Sequence, residues 1–176
     1  MATKHYLYYV EGEDDKKVVD TLKKDMKLII PGIARVFNVV ENVLTNSRLI
    51  TIKENTTVIL VFDTDTGKVD KVKKNIEILK NSSNVKEIIC ITQVKNLEEE
   101  LVRSCNIKSA QELTSSKSVT NYKRDIKNIT NLDKKLKEHN FDMEKFWSKN
   151  DPVYEREGIK NEADKVDYYF YERTIS

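Results

Sequence analysis

Two apolar runs, Tyr6-Leu7-Tyr8-Tyr9-Val10 and Val58-Ile59-Leu60-Val61-Phe62, are each followed at once by carboxylates, Glu11-Gly12-Glu13-Asp14-Asp15 and Asp63-Thr64-Asp65. Apolar runs of this length read as strands buried on both faces, which is the habit of parallel sheets. If both strands lie in one parallel sheet, their carboxyl ends open on the same edge, the place where α/β folds hold ligands. Acids about fifty residues apart in sequence would then converge. Converging carboxylates repel unless a cation lies between them, and oxygen ligands of this kind select a hard divalent ion such as Mg²⁺ or Mn²⁺.

The remaining pattern fits repeated βα units. Val18, Val19, Leu22 and Met26 fall on one face of a helix expected from about Asp14 to Lys27, with an acidic first turn that suits its positive end. Pro31-Gly32 reads as a turn, Ala34 to Val40 as the second strand, and Thr57 to Phe62 as the clearest strand. Val69, Val72, Ile76 and Leu79 recur at helical spacing, Val85 to Ile91 forms the next strand, and Asn96 to Arg103 the next helix. Strand-like runs end at Cys105. The expected organisation is therefore an α/β domain over 1–105, Rossmann-like with a mainly parallel sheet flanked by helices, and a helical C-terminal extension over 106–176 packed on it.

Charge adds little at whole-chain level, because 31 basic residues nearly cancel 29 acidic ones. Locally, however, Lys108 to Lys137 holds eight basic residues against three acids. Lys117, Lys123, Arg124 and Lys127 from this stretch are candidates to contact phosphates, although a solvated helix face has the same composition. Phe141, Phe146 and Trp147 are expected to dock a last short helix on the core. The stretch from Asp151 to Ser176, with its Tyr168 to Tyr171 aromatic cluster, fits a strand, a helix or an interface equally. Cys90 and Cys105 are too few for a zinc site and fit buried thiols. No segment has the apolar length of a signal peptide core or a membrane span, and the expected location is cytoplasmic, with no membrane partner.

At this point the residues resemble a known family. Glu11-Gly12 at a strand end with Asp15 four residues after the Glu, and Asp63-Thr64-Asp65 at the end of a later strand, are similar in order and context to the two acidic motifs of Toprim domains. Asn96-Leu97-Glu98-Glu99-Glu100-Leu101 resembles the further acidic segment of the OLD (overcoming lysogenization defect) branch, with Glu98 as the matching acid. The same six residues also fit an ordinary capped helix with a solvated acidic face. The resemblance spans roughly Lys4 to Arg103 and implies a Mg²⁺- or Mn²⁺-dependent nuclease, acting in defence against phage or other foreign DNA.

In the two-metal arrangement that the resemblance implies, Asp63 and Asp65 hold one ion, Glu11 and Asp15 the other, and Glu98 completes a shell. In other branches Glu11 acts as general acid or base. The basic residue expected to face the scissile phosphate is Lys123, with Lys117 second. OLD-like domains are often joined to an ATPase; with four glycines and no phosphate-binding loop here, any ATPase would be a separate partner chain. Three alternatives compete: a Toprim-type module that binds nucleic acid or a partner without turnover; a receiver-like phosphoacceptor built on Asp14, Asp15 and Asp63 with Thr92 as hydroxyl; and a dehalogenase-type phosphatase built on Asp63-Thr64-Asp65-Thr66.

Overall fold

The computed structural model describes residues 3–169. Four strands, β1 (His5–Val10), β2 (Ile33–Val36), β3 (Thr56–Asp63) and β4 (Val85–Gln93), form one sheet in the order β2-β1-β3-β4, every neighbouring pair parallel. β1 and β3 are thus the central pair, with Tyr9 beside Leu60. Seven of the eight residues of β3 are buried, which is why its sequence is a continuous apolar run rather than an alternation.

Helices cover both faces. On one face, Tyr8, Val10, Ile59, Val61 and Ile91 pack against α1 (Glu13–Asp20) and α4 (Leu97–Ser104). On the other, Leu7, Tyr9, Val58, Leu60 and Phe62 pack against α3 (Asp70–Lys80) and the segment from Phe37 to Ile52, which includes α2 (Asn46–Leu49). The residues after Cys105 form α5 (Val119–Asn128), α6 (Leu132–Glu138) and α7 (Pro152–Arg156). Their buried side chains join the sheet's own core: Tyr122, Ile126, Leu136 and Trp147 lie in the cluster around Tyr8, while Tyr154 joins the one around Tyr9.

Two elements of the first 105 residues differ from the sequence expectation. The first helix is regular only to Asp20 and continues as one turn of wider π-helix, Thr21–Asp25, so that it ends with Leu28 N–H on the Leu22 carbonyl. The second strand stops at Val36 rather than Val40. Asn38 causes this: its Oδ1 accepts from the backbone N–H of Val40 and of Glu41, closing a turn that competes with the ladder. Val39 and Val40 are nevertheless fully used, as core residues on the α3 face.

The turn into β2 requires a glycine for steric reasons. A Cβ on Gly32 would stand 2.6 Å from the Tyr6 carbonyl oxygen, and no backbone so placed can yield. Phe146 and Trp147 are buried as expected, but the chain around them is a turn and not a helix. Of the C-terminal aromatic cluster, Tyr168 and Tyr169 are described and Phe170 and Tyr171 lie outside the described residues. No helix among the described residues is long and apolar enough to cross a membrane.

Candidate functional site

The parallel order brings the ends of β1, β3 and β4 together, and the acids follow. Glu11 leaves β1 with its carboxylate turned toward β3: Oε2 accepts from the backbone N–H of Asp63 at 3.0 Å and Oε1 from the Asn38 side-chain amide at 2.9 Å. Gly12 then starts α1, its N–H donating to Asp15 Oδ2 at 3.0 Å. A Cβ on Gly12 would stand 2.7 Å from an Asp14 carboxylate oxygen, so glycine keeps this loop open to its own acids.

A residue that the sequence reading did not single out organises the centre. Gln93, the last residue of β4, donates from Nε2 to Asp15 Oδ1 at 2.8 Å and to Asp63 Oδ1 at 2.8 Å. A primary amide nitrogen has two hydrogens, and here each carboxylate takes one. The orientation is fixed from behind: Trp147 Nε1 donates to Gln93 Oε1 at 3.1 Å, so the amide oxygen faces the indole and the amide nitrogen faces the acids. Asp15 and Asp63 are thus tied through a neutral group that separates their charges without cancelling them.

Electrostatics record that shortfall. Burial and the neighbouring acids Asp15 and Glu11 push the Asp63 carboxyl up to about 9, against the one Gln93 hydrogen bond that favours its ionised form. Burial and Asp14 push Asp15 up to about 7. Glu11 is also raised, chiefly by burial, with Asp65 and Asp14 adding to it. Asp65 is exposed at the mouth, its backbone N–H held by the Lys95 carbonyl at 3.1 Å.

The helical elements supply the rim. Glu98, on the first turn of α4, pairs with Lys123 of α5 at 3.5 Å, and the lysine's ammonium is stabilised first by Glu98 and then by Asp14 and Asp63. Lys123 therefore stands at the acid edge, while Arg124 of the same helix turns to Asp125 at 2.8 Å. Lys117, Lys123, Arg124 and Lys127 are all exposed. Tyr122, next to Lys123, is fully buried; its hydroxyl has no hydrogen-bond partner among the described residues and lies within the electrostatic reach of Glu98, Asp14 and Asp15.

The three consecutive glutamates separate by role. Asn96 caps α4, accepting from Glu99 N–H at 3.0 Å. Glu98 faces Lys123, Glu99 is exposed, and Glu100 is fully buried. Glu100 accepts from Val94 N–H at 2.9 Å and Trp147 N–H at 2.8 Å and pairs with Arg103 at 2.8 Å. The helical spacing of Leu97, Leu101 and Ser104, all buried, places Glu100 on the inner face, a signal present in the sequence. Thr92 is buried with its hydroxyl on the Lys149 carbonyl at 3.3 Å, committed to the extension.

Among the described residues no three carboxylate, histidine or thiol groups stand ready-made as a metal-holding set. The reason is visible in the geometry. The Gln93 amide occupies the space between Asp15 and Asp63, and Glu11 is turned to backbone and amide donors. The donor chemistry still fits a hard cation, since the acids at the edge are oxygen donors and no Lys or Arg among the described residues forms an ion pair with Glu11, Asp15 or Asp63. Comparison of the chain with protein-family models, with curated proteins and with solved structures found no match.

Proposed function

We propose that the chain is a nuclease of Toprim type, closest in its motifs to the OLD branch, that hydrolyses phosphodiester bonds with Mg²⁺ or Mn²⁺ at the edge formed by β1, β3 and β4. One observation carries the reading: Asp15, buried, and Asp63, half-buried, each lie 2.8 Å from the same amide nitrogen with no ion-pair partner among the described residues, an arrangement that is costly for two carboxylates unless a cation completes it. Asp63 and Asp65 would hold one ion and Glu11 and Asp15 a second, with Glu98 released from Lys123 to fill a shell. A bound divalent ion supplies charge neutralisation on the phosphate oxygens and acidifies a bound water.

The chain's own residues do the rest. Asn38 and the Asp63 N–H hold Glu11 by both oxygens, fixing its direction before any ligand arrives. In a one-metal alternative, with the ion on Asp63 and Asp65, Glu11, whose carboxyl is raised chiefly by burial, would be the general acid or base. Lys123, on an exposed helix face beside the acids, would meet the phosphate and stabilise charge as the bond breaks. Lys117, Arg124 and Lys127 extend that basic face as a track for DNA or RNA. Role in foreign-DNA defence and an ATPase on a separate chain are proposed on the motif resemblance alone.

The receiver-like alternative is disfavoured by Thr92, whose hydroxyl bonds to the Lys149 carbonyl and not toward Asp63. Titration calorimetry with Mn²⁺ tests the proposal, alongside cleavage assays on mixed DNA and RNA with and without the metal. The parent should bind Mn²⁺ and cleave, and Asp63→Asn/Asp65→Asn should do neither while remaining folded. Unchanged Mn²⁺ binding by the double variant would remove the metal site and the nuclease with it.

A further inference from the structure

A second charged constellation lies away from the acid edge, on the α3 face of the sheet beside the edge strand β2. Tyr9 and Arg35 are register partners on β1 and β2, so their side chains leave the sheet on the same face. There they meet α2 and the turn that follows it: Arg35 Nη1 donates to Thr51 Oγ1 at 2.6 Å, and Arg48 of α2 lies over the Phe37 ring at 4.6 Å, which itself packs edge-on to Tyr9 at 5.6 Å. Beside them opens a groove of about 310 Å³, floored by Leu7 and Ile33 and flanked by Lys4, Arg35, Thr51 and Lys53. No Asp or Glu lines it.

Two observations set this cluster apart from an ordinary basic surface. First, Lys4, Arg35 and Lys53 line one groove that holds no acid, and neither they nor Arg48 form an ion pair among the described residues. Second, the Tyr9 hydroxyl is buried with no hydrogen-bond partner among the described residues, on a side chain only 1% exposed. A buried O–H left unpaired costs about 1–3 kcal/mol, and an anion accepted from Arg35 and Arg48 would recover it. Burial raises the Tyr9 hydroxyl, and Arg35 and Arg48 oppose that rise.

We propose that this flank is a binding site for a phosphate monoester, with Arg35, Arg48 and the Tyr9 hydroxyl as donors to the phosphate and Lys4 and Lys53 on the rim. Planar guanidiniums match phosphate oxygens in pairs, and four cations without counter-charge favour a dianion over the monoanion of a phosphodiester. The groove is at the small end of ligand sites, so one nucleotide-sized body fits along Leu7 and Ile33 and a polymer does not. The phosphate belongs either to a free nucleotide or to the terminal nucleotide of a nucleic-acid strand. The site uses none of the acids of the proposed nuclease and stands or falls without it.

The test is run in EDTA, so that no divalent ion bridges phosphate to the acid edge. Thermal unfolding and calorimetry are followed with adenosine 5′-monophosphate, with adenosine, and with one oligodeoxynucleotide carrying either a 5′-phosphate or a 5′-hydroxyl. The monophosphate should raise the midpoint where adenosine does not. Arg35→Gln/Arg48→Gln should weaken monophosphate binding at least tenfold. Tyr9→Phe should unfold at a higher temperature than the parent when free, because the orphan hydroxyl is gone, yet bind the monophosphate several-fold less tightly.

A 5′-phosphorylated strand that binds more tightly than the mononucleotide assigns the site to strand ends, and the reverse order assigns it to free nucleotides. Equal behaviour of monophosphate and adenosine overturns the proposal, as does undiminished monophosphate affinity in the double variant. If that variant does not fold, Tyr9→Phe decides alone, and an unchanged affinity in it overturns the proposal equally.

Discussion

Glu100 is an acid taken fully out of water and Asp63 one taken partly out, and they are wired in opposite ways. Glu100 has two backbone N–H donors and the Arg103 guanidinium. Asp63 shares one amide with Asp15 and is surrounded by further acids, which push it up to about 9. A buried carboxylate with donors and a counter-charge serves the fold, because its desolvation is offset where it stands. One crowded by further acids, with no cation paired to it, holds the protein in a state that a ligand can improve. Gln93, which donates to Asp63, and Glu100 stand at opposite ends of one short segment, so burial alone does not distinguish structural from functional acids; their partners do.

The largest expected effect breaks the structural member. Glu100→Ala should destabilise the chain by about 3–5 kcal/mol, because Arg103 and two buried N–H groups lose their partner together; urea unfolding measures it. If the loss is under about 1 kcal/mol, the contrast collapses. At the other acid the sign reverses. Asp63→Asn should stabilise the metal-free protein by at least about 1 kcal/mol at pH 8, where the parent's folded state must hold Asp63 protonated while the unfolded chain ionises it.

The same linkage predicts the pH profile. A carboxyl whose folded value is raised stabilises most below its unfolded value, and that stability is lost as pH climbs through the folded one. Metal-free stability should therefore fall from about pH 4 through about 7 and about 9 as Asp15 and then Asp63 ionise. Mn²⁺ should flatten the decline, and Asp63→Asn should remove its upper part. Thermal midpoints across that range, with and without Mn²⁺, give the comparison directly.

Gln93→Leu sharpens the contrast at intermediate size. It should cost the metal-free protein about 1–3 kcal/mol, since Trp147 Nε1 and both carboxylates lose their partner, while enlarging the midpoint shift that Mn²⁺ produces. A smaller Mn²⁺ shift than in the parent would make Gln93 a support for the ion and not its stand-in. The smallest effect concerns the basic helix. Lys117→Ala and Lys127→Ala should each lower the log-log salt slope of nucleic-acid binding by about 0.7–0.9 with little change in fold. An unchanged slope would leave α5 a solvated face.

Much of the acid edge was legible because strand ends are legible. Glu11, Asp15, Asp63 and Asp65 follow apolar runs, and parallel pairing then brings them together. Gln93 was not, since an amide at the end of the Val85 run looks like any strand terminus, and its partner Trp147 lies 54 residues away. The basic region was legible as charge but not as geometry: only its Lys123 is drawn to the acids, through Glu98. β2 was overextended because Asn38 turns the chain while apolar residues continue past it. Arg35, Arg48 and Tyr9 carried no sequence signal, being joined only by strand register and the packing of α2.

Trp147 is the chain's sole tryptophan, and its indole N–H bonds to the amide that holds Asp15 and Asp63. The protein consequently carries an optical reporter at its own acid edge. Any event that pulls Gln93 from the carboxylates alters the polarity around one emitting ring, with no second tryptophan to dilute the signal. Intrinsic fluorescence is thus a label-free readout of cation arrival, and a paramagnetic ion such as Mn²⁺ should quench it while Mg²⁺ shifts its colour.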